Sequence, residues 1–230
     1  MTREEILPRF RRDVRNHVMH ILRDDKAYRH ILFKAPGTSC YHFELLTWPG
    51  YLTICGDCGT YTFRRVSDMF TFFRMDEHDF HYSKGELSIN VGYWAEKLQH
   101  GNGYRSELYT EWDEDAFNER VDEYYQSWLE GFDETQHEEP DEVKSTVNME
   151  IADLKKAGDD EFEAVIAVRE FCSQYIEIYD FWEGDSCRRP TGSFLWCLYA
   201  IVWGIQAYDR EKLLTPAINK FLAVRRSTSL

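Results

Sequence analysis

Arg29-His-Ile-Leu-Phe-Lys34, Tyr41-His-Phe-Glu-Leu-Leu-Thr-Trp48, Tyr51-Leu-Thr-Ile-Cys55 and Thr60-Tyr-Thr-Phe-Arg64 follow one another closely in the chain. Each is a short run rich in β-branched and aromatic residues. Pro36-Gly37, Pro49-Gly50 and Gly56-Asp57-Cys58-Gly59 separate them. Short strands joined by turn residues predict an antiparallel meander over 29–65. Val66 to Arg74 reads as a short helix covering one face of that sheet.

Toward the N-terminus, Ile6, Phe10, Val14, Val18, Ile21 and Leu22 recur at helical spacing and predict one helix over 3–24. Thr2 with Glu5 resembles a capping box. Toward the C-terminus, Leu87–Ile89 reads as a short strand and Tyr93–Leu98 as a helix. Phe117, Val121, Tyr124, Tyr125, Trp128 and Leu129 define an amphipathic helix. Val143–Lys156 and Glu161–Tyr175 are two more, and 184–192 is a loop. Ser193 is placed to cap the apolar run Phe194–Ile205, and Leu213–Arg225 is the last helix. Strands grouped together, followed by helices, mean an α+β fold. It has a small antiparallel β-sheet near the N-terminus and a helix-rich C-terminal two-thirds. The natural division is residues 1–104 and 105–230, in one domain or two.

The chain has 230 residues, 43% of them apolar and 16% aromatic. That is enough to fill a sizeable core, which excludes global disorder. No apolar leader opens the sequence, and the longest apolar run falls short of a bilayer's thickness. A cytoplasmic protein with no membrane partner is expected. Six cysteines without a secretory signal read as reduced thiols.

The net charge is −14, and it is not spread evenly. Residues 107–163 hold 21 Asp and Glu against 4 Lys and Arg; the remainder holds 20 against 23. The total argues against a free-standing nucleic-acid binder of ordinary basic type, so no direct nucleic-acid binding is expected. Glu111, Asp115, Glu119 and Asp122 recur every three or four residues. In a helix beginning near Glu111 they form one carboxylate ridge, flanked by Glu114 and Glu123. Such a ridge is either a solvated face that keeps the protein dissolved or a surface that presents carboxylates where a nucleic acid presents phosphates. The second reading makes Glu111, Asp115, Glu119, Asp122 and Glu123 partner-binding residues.

Chemistry-bearing clusters are few. Cys55-Gly-Asp-Cys58 is a CxxC, but it sits in a hairpin turn, and Cys40, Cys172, Cys187 and Cys197 supply no second pair. Neither zinc nor an essential redox bond is expected there. Asp13, His17, His20 and Asp24 would share a stripe of the first helix, as an acid/base or metal site or as polar residues edging a buried face. His78-Asp79-Phe80-His81 matches no motif. There is no HExxH, no GxSxG and no phosphate-cradling glycine loop. No catalytic residue, metal or cofactor is expected.

Lys34–Leu52, Gly56–Arg64, Asp68–Arg74 and Ile89–Lys97 resemble a family of uncharacterised proteins encoded by bacteriophages and prophages. The resemblance covers roughly residues 29–97. It implies a genomic setting rather than a reaction, and by analogy the setting of inhibitors of bacterial defence systems. The expected function is therefore a phage-encoded, non-catalytic inhibitor of a nucleic-acid-handling defence complex, of anti-CRISPR or anti-nuclease type. Its partner would be a host nucleic-acid-binding protein or ribonucleoprotein complex. The alternatives are a metal-dependent hydrolase or nuclease, and an accessory protein of phage replication or transcription.

Overall fold

The helix expected over 3–24 ends at Val14. In the computed structural model, which describes residues 3–74, 87–99, 108–183 and 187–227, α1 (Arg3–Val14) buries Ile6, Phe10 and Val14. Arg15 and Asn16 then turn the chain, and the His17 N–H donates to the Val14 carbonyl at 2.9 Å. The chain continues as a strand, β1 (Val18–Asp25), paired along its length with β2 (Tyr28–Lys34). Lys26, at φ 55°, supplies the positive φ that a two-residue hairpin needs. Val18, Ile21 and Leu22 continue the helical period but stay 46%, 38% and 57% exposed. The helical period gives way here to strand pairing, which satisfies the backbone of the β-branched residues Val18 and Ile21 directly.

The meander is as expected, with one strand added at each edge. β3 (Phe43–Trp48), β4 (Tyr51–Gly56) and β5 (Tyr61–Arg64) follow β2, and β6 (Leu98–Gln99) closes a six-stranded antiparallel sheet in sequential order. Alternation is strict. Ile31, Phe33, Phe43, Leu45, Leu52, Ile54 and Phe63 are buried on one face, and the residues between them point the other way. Leu87–Ile89 is not a strand; the chain there leads into α3 (Val91–Ala95), with Asn90 capping it by accepting from the Tyr93 N–H.

The inner face is covered by α1, α2 (Met69–Phe73), α3 and the long α7 (Gly192–Ser227). The two C-terminal helices read from the sequence are thus one. Its N-terminus is capped by Thr191 rather than Ser193, the Thr191 hydroxyl accepting from the Phe194 N–H at 3.2 Å. Phe194 to Val202 is buried without a break, as befits a helix that is apolar all round. Gly204 lets α7 approach the sheet: a Cβ there would stand 2.9 Å from Leu45 Cδ1 and 3.1 Å from Phe33 Cζ.

Polar contacts fix the same elements. Arg29, 8% exposed, makes two 2.9 Å bonds to the Asp68 carboxylate, which also caps α2. Burial alone would raise the Asp68 carboxyl, but Arg29 outweighs it and holds the pKa below the usual value. Arg74 grips Asp209 of α7 with two bonds of 2.8 Å.

Residues Met1–Tyr109 and Pro190–Leu230 form one compact unit, and Thr110–Arg189 the other. Against the division at 104/105 read from the sequence, α7 therefore groups with the sheet. The second unit is helical: α4 (Glu114–Gly131), α5 (Pro140–Lys156) and α6 (Glu161–Glu170) surround Phe117, Val121, Val147, Ile151, Leu154 and Ala164. A two-stranded ribbon of β7 (Thr110–Trp112) and β8 (Arg188–Pro190) accompanies them, so the expected 184–192 loop contains a strand. Among the described residues no helix is long and apolar enough to cross a membrane.

Candidate interaction surface

The net negative charge of the chain lies in the helical unit. Residues 110–189 hold 25 Asp and Glu against 7 Lys and Arg, a net of −18; the sheet unit holds 16 against 20, a net of +4. Many of these carboxylates have local work. Asp113 caps α4, Asp160 caps α6 and Asp133 caps the short turn after α4. Glu134 pairs with Lys144, Glu161 with Arg188 and Asp153 with Lys156.

The expected ridge is corrected in two places. Glu111 is not on the helix. It lies in β7, where Arg189 of β8 spans it and Asp113 at 3.1 and 3.3 Å. The helix starts later because Asp113 is the capping residue: its own N–H donates to the Cys187 carbonyl at 3.0 Å and its side chain accepts from the Ala116 N–H. Asp122 is on α4 but is paired with Lys155 of α5 at 2.5 Å. Asp115, Glu119 and Glu123 remain, exposed and with no ion pair among the described residues. They recur every four residues, about 6 Å apart along the helix axis. One strand of duplex DNA carries a charge about every 3.4 Å. The ridge alone is thus sparser than a phosphate backbone. Like-charge crowding is felt at its start, where Asp159 first, with burial and Asp115 adding, raises the Glu114 carboxyl.

Sequence reasoning missed Arg188 and Arg189, adjacent cations that neutralise part of this surface. Their only signal was their isolation in an otherwise acidic stretch.

The remaining clusters are dispersed. Asp13 accepts from Trp196 Nε1 at 3.2 Å at the end of α1. The His17 ring donates from Nε2 to the Tyr41 carbonyl at 2.9 Å. His20 is exposed on β1, and Asp24, at the far end of that strand, accepts from the Tyr208 hydroxyl at 2.9 Å and pairs with Lys212. The stripe proposed for these four does not form, because the helix that would have carried it ends at Val14. His78-Asp79-Phe80-His81 lies outside the described residues. Among the described residues no three His, Cys, Asp or Glu side chains are grouped to hold a metal ion.

Cys55 is the penultimate residue of β4 and Cys58 stands in the following turn, both as free thiols. Burial pushes the Cys58 thiol up to about 11, with the Asp13 and Asp57 charges adding to the effect. Burial also raises Cys55 and Cys197. The thiolate is the reactive form. Timed alkylation near pH 7.5 followed by peptide mass mapping should therefore label the exposed Cys40 and Cys172 well before Cys58 and Cys197. Cys58 labelled as early as Cys40 would contradict the burial that raises it.

Comparison with protein-family models, curated proteins and solved structures gives no match for this chain.

Proposed function

We propose that the protein is a non-catalytic binding protein whose helical unit meets the cationic surface of a nucleic-acid-handling host protein. In the fullest form of this reading it is a phage- or prophage-encoded inhibitor of a defence complex, of anti-CRISPR or anti-nuclease type, acting in the bacterial cytoplasm. The segregation of charge, −18 on one unit and +4 on the other, is the observation that supports it most directly. A carboxylate-rich unit attracts a basic groove, speeds the encounter and competes with the nucleic acid that the groove would otherwise hold. The phage setting rests on the resemblance over residues 29–97 alone. Among the described residues Asp13, His17, His20 and Asp24 are dispersed and form no common site for the hydrolase alternative.

The test is capture followed by competition. The tagged protein is incubated with host lysate at low salt, and bound proteins are eluted with duplex DNA or structured RNA. The expected result is a nucleic-acid-binding protein released by either competitor or by raised salt. A partner released by neither would overturn the reading.

A further inference from the structure

The expectation that this chain leaves nucleic acid alone came from its total charge, and that total hides a sheet unit of net +4. The outer face of this sheet has a defined composition. Every strand residue of the apolar core lies on the inner face, so Tyr28, His30, Leu32, Glu44, Leu46, Trp48, Tyr51, Thr53, Thr62 and Arg64 form the other.

The register aligns three aromatic rings and a cation. Trp48 is paired with Tyr51, and Tyr51 with Arg64. Arg29 opposite Thr47 brings the preceding Tyr28 beside the following Trp48. Tyr28, Trp48, Tyr51 and Arg64 therefore stand side by side on β2, β3, β4 and β5, about 4.8 Å apart. Trp48 and Tyr51 are stacked, with centroids at 5.1 Å and planes at 16°. Arg64 lies over the Tyr51 ring at 5.3 Å, and Arg23 over Tyr28 at 5.1 Å. Tyr28 is 44% exposed and Trp48 38%.

Cross-strand aromatic pairing stabilises a sheet, which accounts for the Trp48–Tyr51 contact. It does not account for exposed rings with a cation at each end. Exposed Lys26, Lys34 and Arg65 add to Arg23 and Arg64 around this face, while Asp25 is held by Arg23 and Glu44 by His30. Stacking surface edged by cations suits a ligand with flat apolar faces and a phosphate chain. A duplex hides its base faces, and an acidic peptide does not carry a flat ring beside every charge.

We propose that the outer face of the sheet is a stacking platform for single-stranded nucleic acid, with the exposed Tyr28 and Trp48 taking bases, Tyr51 backing Trp48, and Arg23 and Arg64 meeting the flanking phosphates. An open sheet that binds RNA in this manner stacks two or three bases, and Tyr28 and Trp48 offer two exposed rings. The proposal goes beyond the acidic-surface reading and needs no host protein, so either can fail alone.

The test is fluorescence anisotropy with labelled oligo-dT and oligo-U of about 12 nucleotides, and a duplex of equal length, at about 50 mM salt. The single strands should bind with a Kd on the order of 10 μM and the duplex more weakly. Trp48→Ala should weaken single-strand binding about tenfold, with Trp48→Phe restoring most of it. Arg64→Gln should lower the salt slope by about one. Tyr28→Ala gives a second reading should Trp48→Ala fail to fold, and thermal melts identify which variants are native. No binding at about ten times the expected Kd, equal binding of duplex, or single-strand binding unchanged in natively folded ring variants would each overturn the proposal. So would self-association lost in Trp48→Ala without any oligonucleotide binding, which would assign the face to a second copy of the chain.

Discussion

Phe33→Ala should destabilise the sheet unit by about 4 kcal/mol, among the largest losses expected from a single core truncation. Phe33 is fully buried, stacks on Phe43 at 4.7 Å and 12°, and meets the Trp203 ring at 5.5 Å. Gly204 lies so close above it that a Cβ there would crowd the ring at 3.1 Å, so α7 is seated directly on this ring. Truncation removes the ring's transfer free energy and leaves a cavity. The three elements around it cannot fill that cavity without moving a helix of 36 residues. Urea titration followed by far-UV dichroism and tryptophan fluorescence reads the loss. Lys34→Ala is the control: its side chain is on the outer face and exposed, and its effect should stay within about 0.5 kcal/mol. A loss below about 1 kcal/mol for Phe33→Ala would mean that α7 does not pack where the fold places it.

The same residues show what the sequence could reveal of the fold. Ile-Leu-Phe, Phe-Glu-Leu and Leu-Thr-Ile alternate with period two between Pro-Gly and Gly-rich turns, and local chemistry of that kind survives into the sheet. The apolar run from Phe194 announced a buried helix for the same reason: no other element can hide every face. What failed was local signal competing with distant partners. Val18 to Leu22 has a helical period and strand-forming residue types at once, and only the presence of β2 decides between them. The ridge failed similarly at its first member. Spacing alone put Glu111 on α4, but the helix begins where Asp113 can cap it, and Arg189, distant in sequence, holds Glu111 in a strand instead. The row Tyr28–Trp48–Tyr51–Arg64 was partly legible: Trp48-Pro-Gly-Tyr51 around a two-residue turn already places Trp48 opposite Tyr51. The positions of Tyr28 and Arg64 required the register of two further strands.

Replacing Asp115, Glu119 and Glu123 together with lysine should slow association with the basic partner about tenfold or more at low salt while leaving the helical unit folded. The folding half follows from like-charge arithmetic. Asp115–Glu119 and Glu119–Glu123 are i,i+4 pairs of equal sign, each unfavourable by about 0.2–0.5 kcal/mol, and the lysines reproduce that repulsion rather than add to it. Asp115 is in the first turn of α4, so its reversal against the helix dipole costs about 0.3–1 kcal/mol. Removing its charge from beside Glu114 offsets part of this, because Asp159 and Asp115 both crowd that carboxyl. None of the three side chains is buried, so no core contact is lost. The binding half follows from the field. Three reversals change the unit's net charge from −18 to −12, and concentrate the change on one face of one helix. Electrostatic steering raises association rates by about 10–10³, and the loss falls on the encounter rather than on dissociation. Stopped-flow or surface-based kinetics against the captured partner should therefore show parent and variant far apart at about 50 mM salt. They should converge toward 1 M, where the screening length shrinks to about 3 Å. The matched substitution Asp122→Lys should slow association less than reversal of Glu119, because Lys155 already neutralises Asp122 in the parent. Equal on-rates for parent and triple variant at low salt would reduce the ridge to a solvated helix face, and the partner would have to be sought on another surface of the molecule.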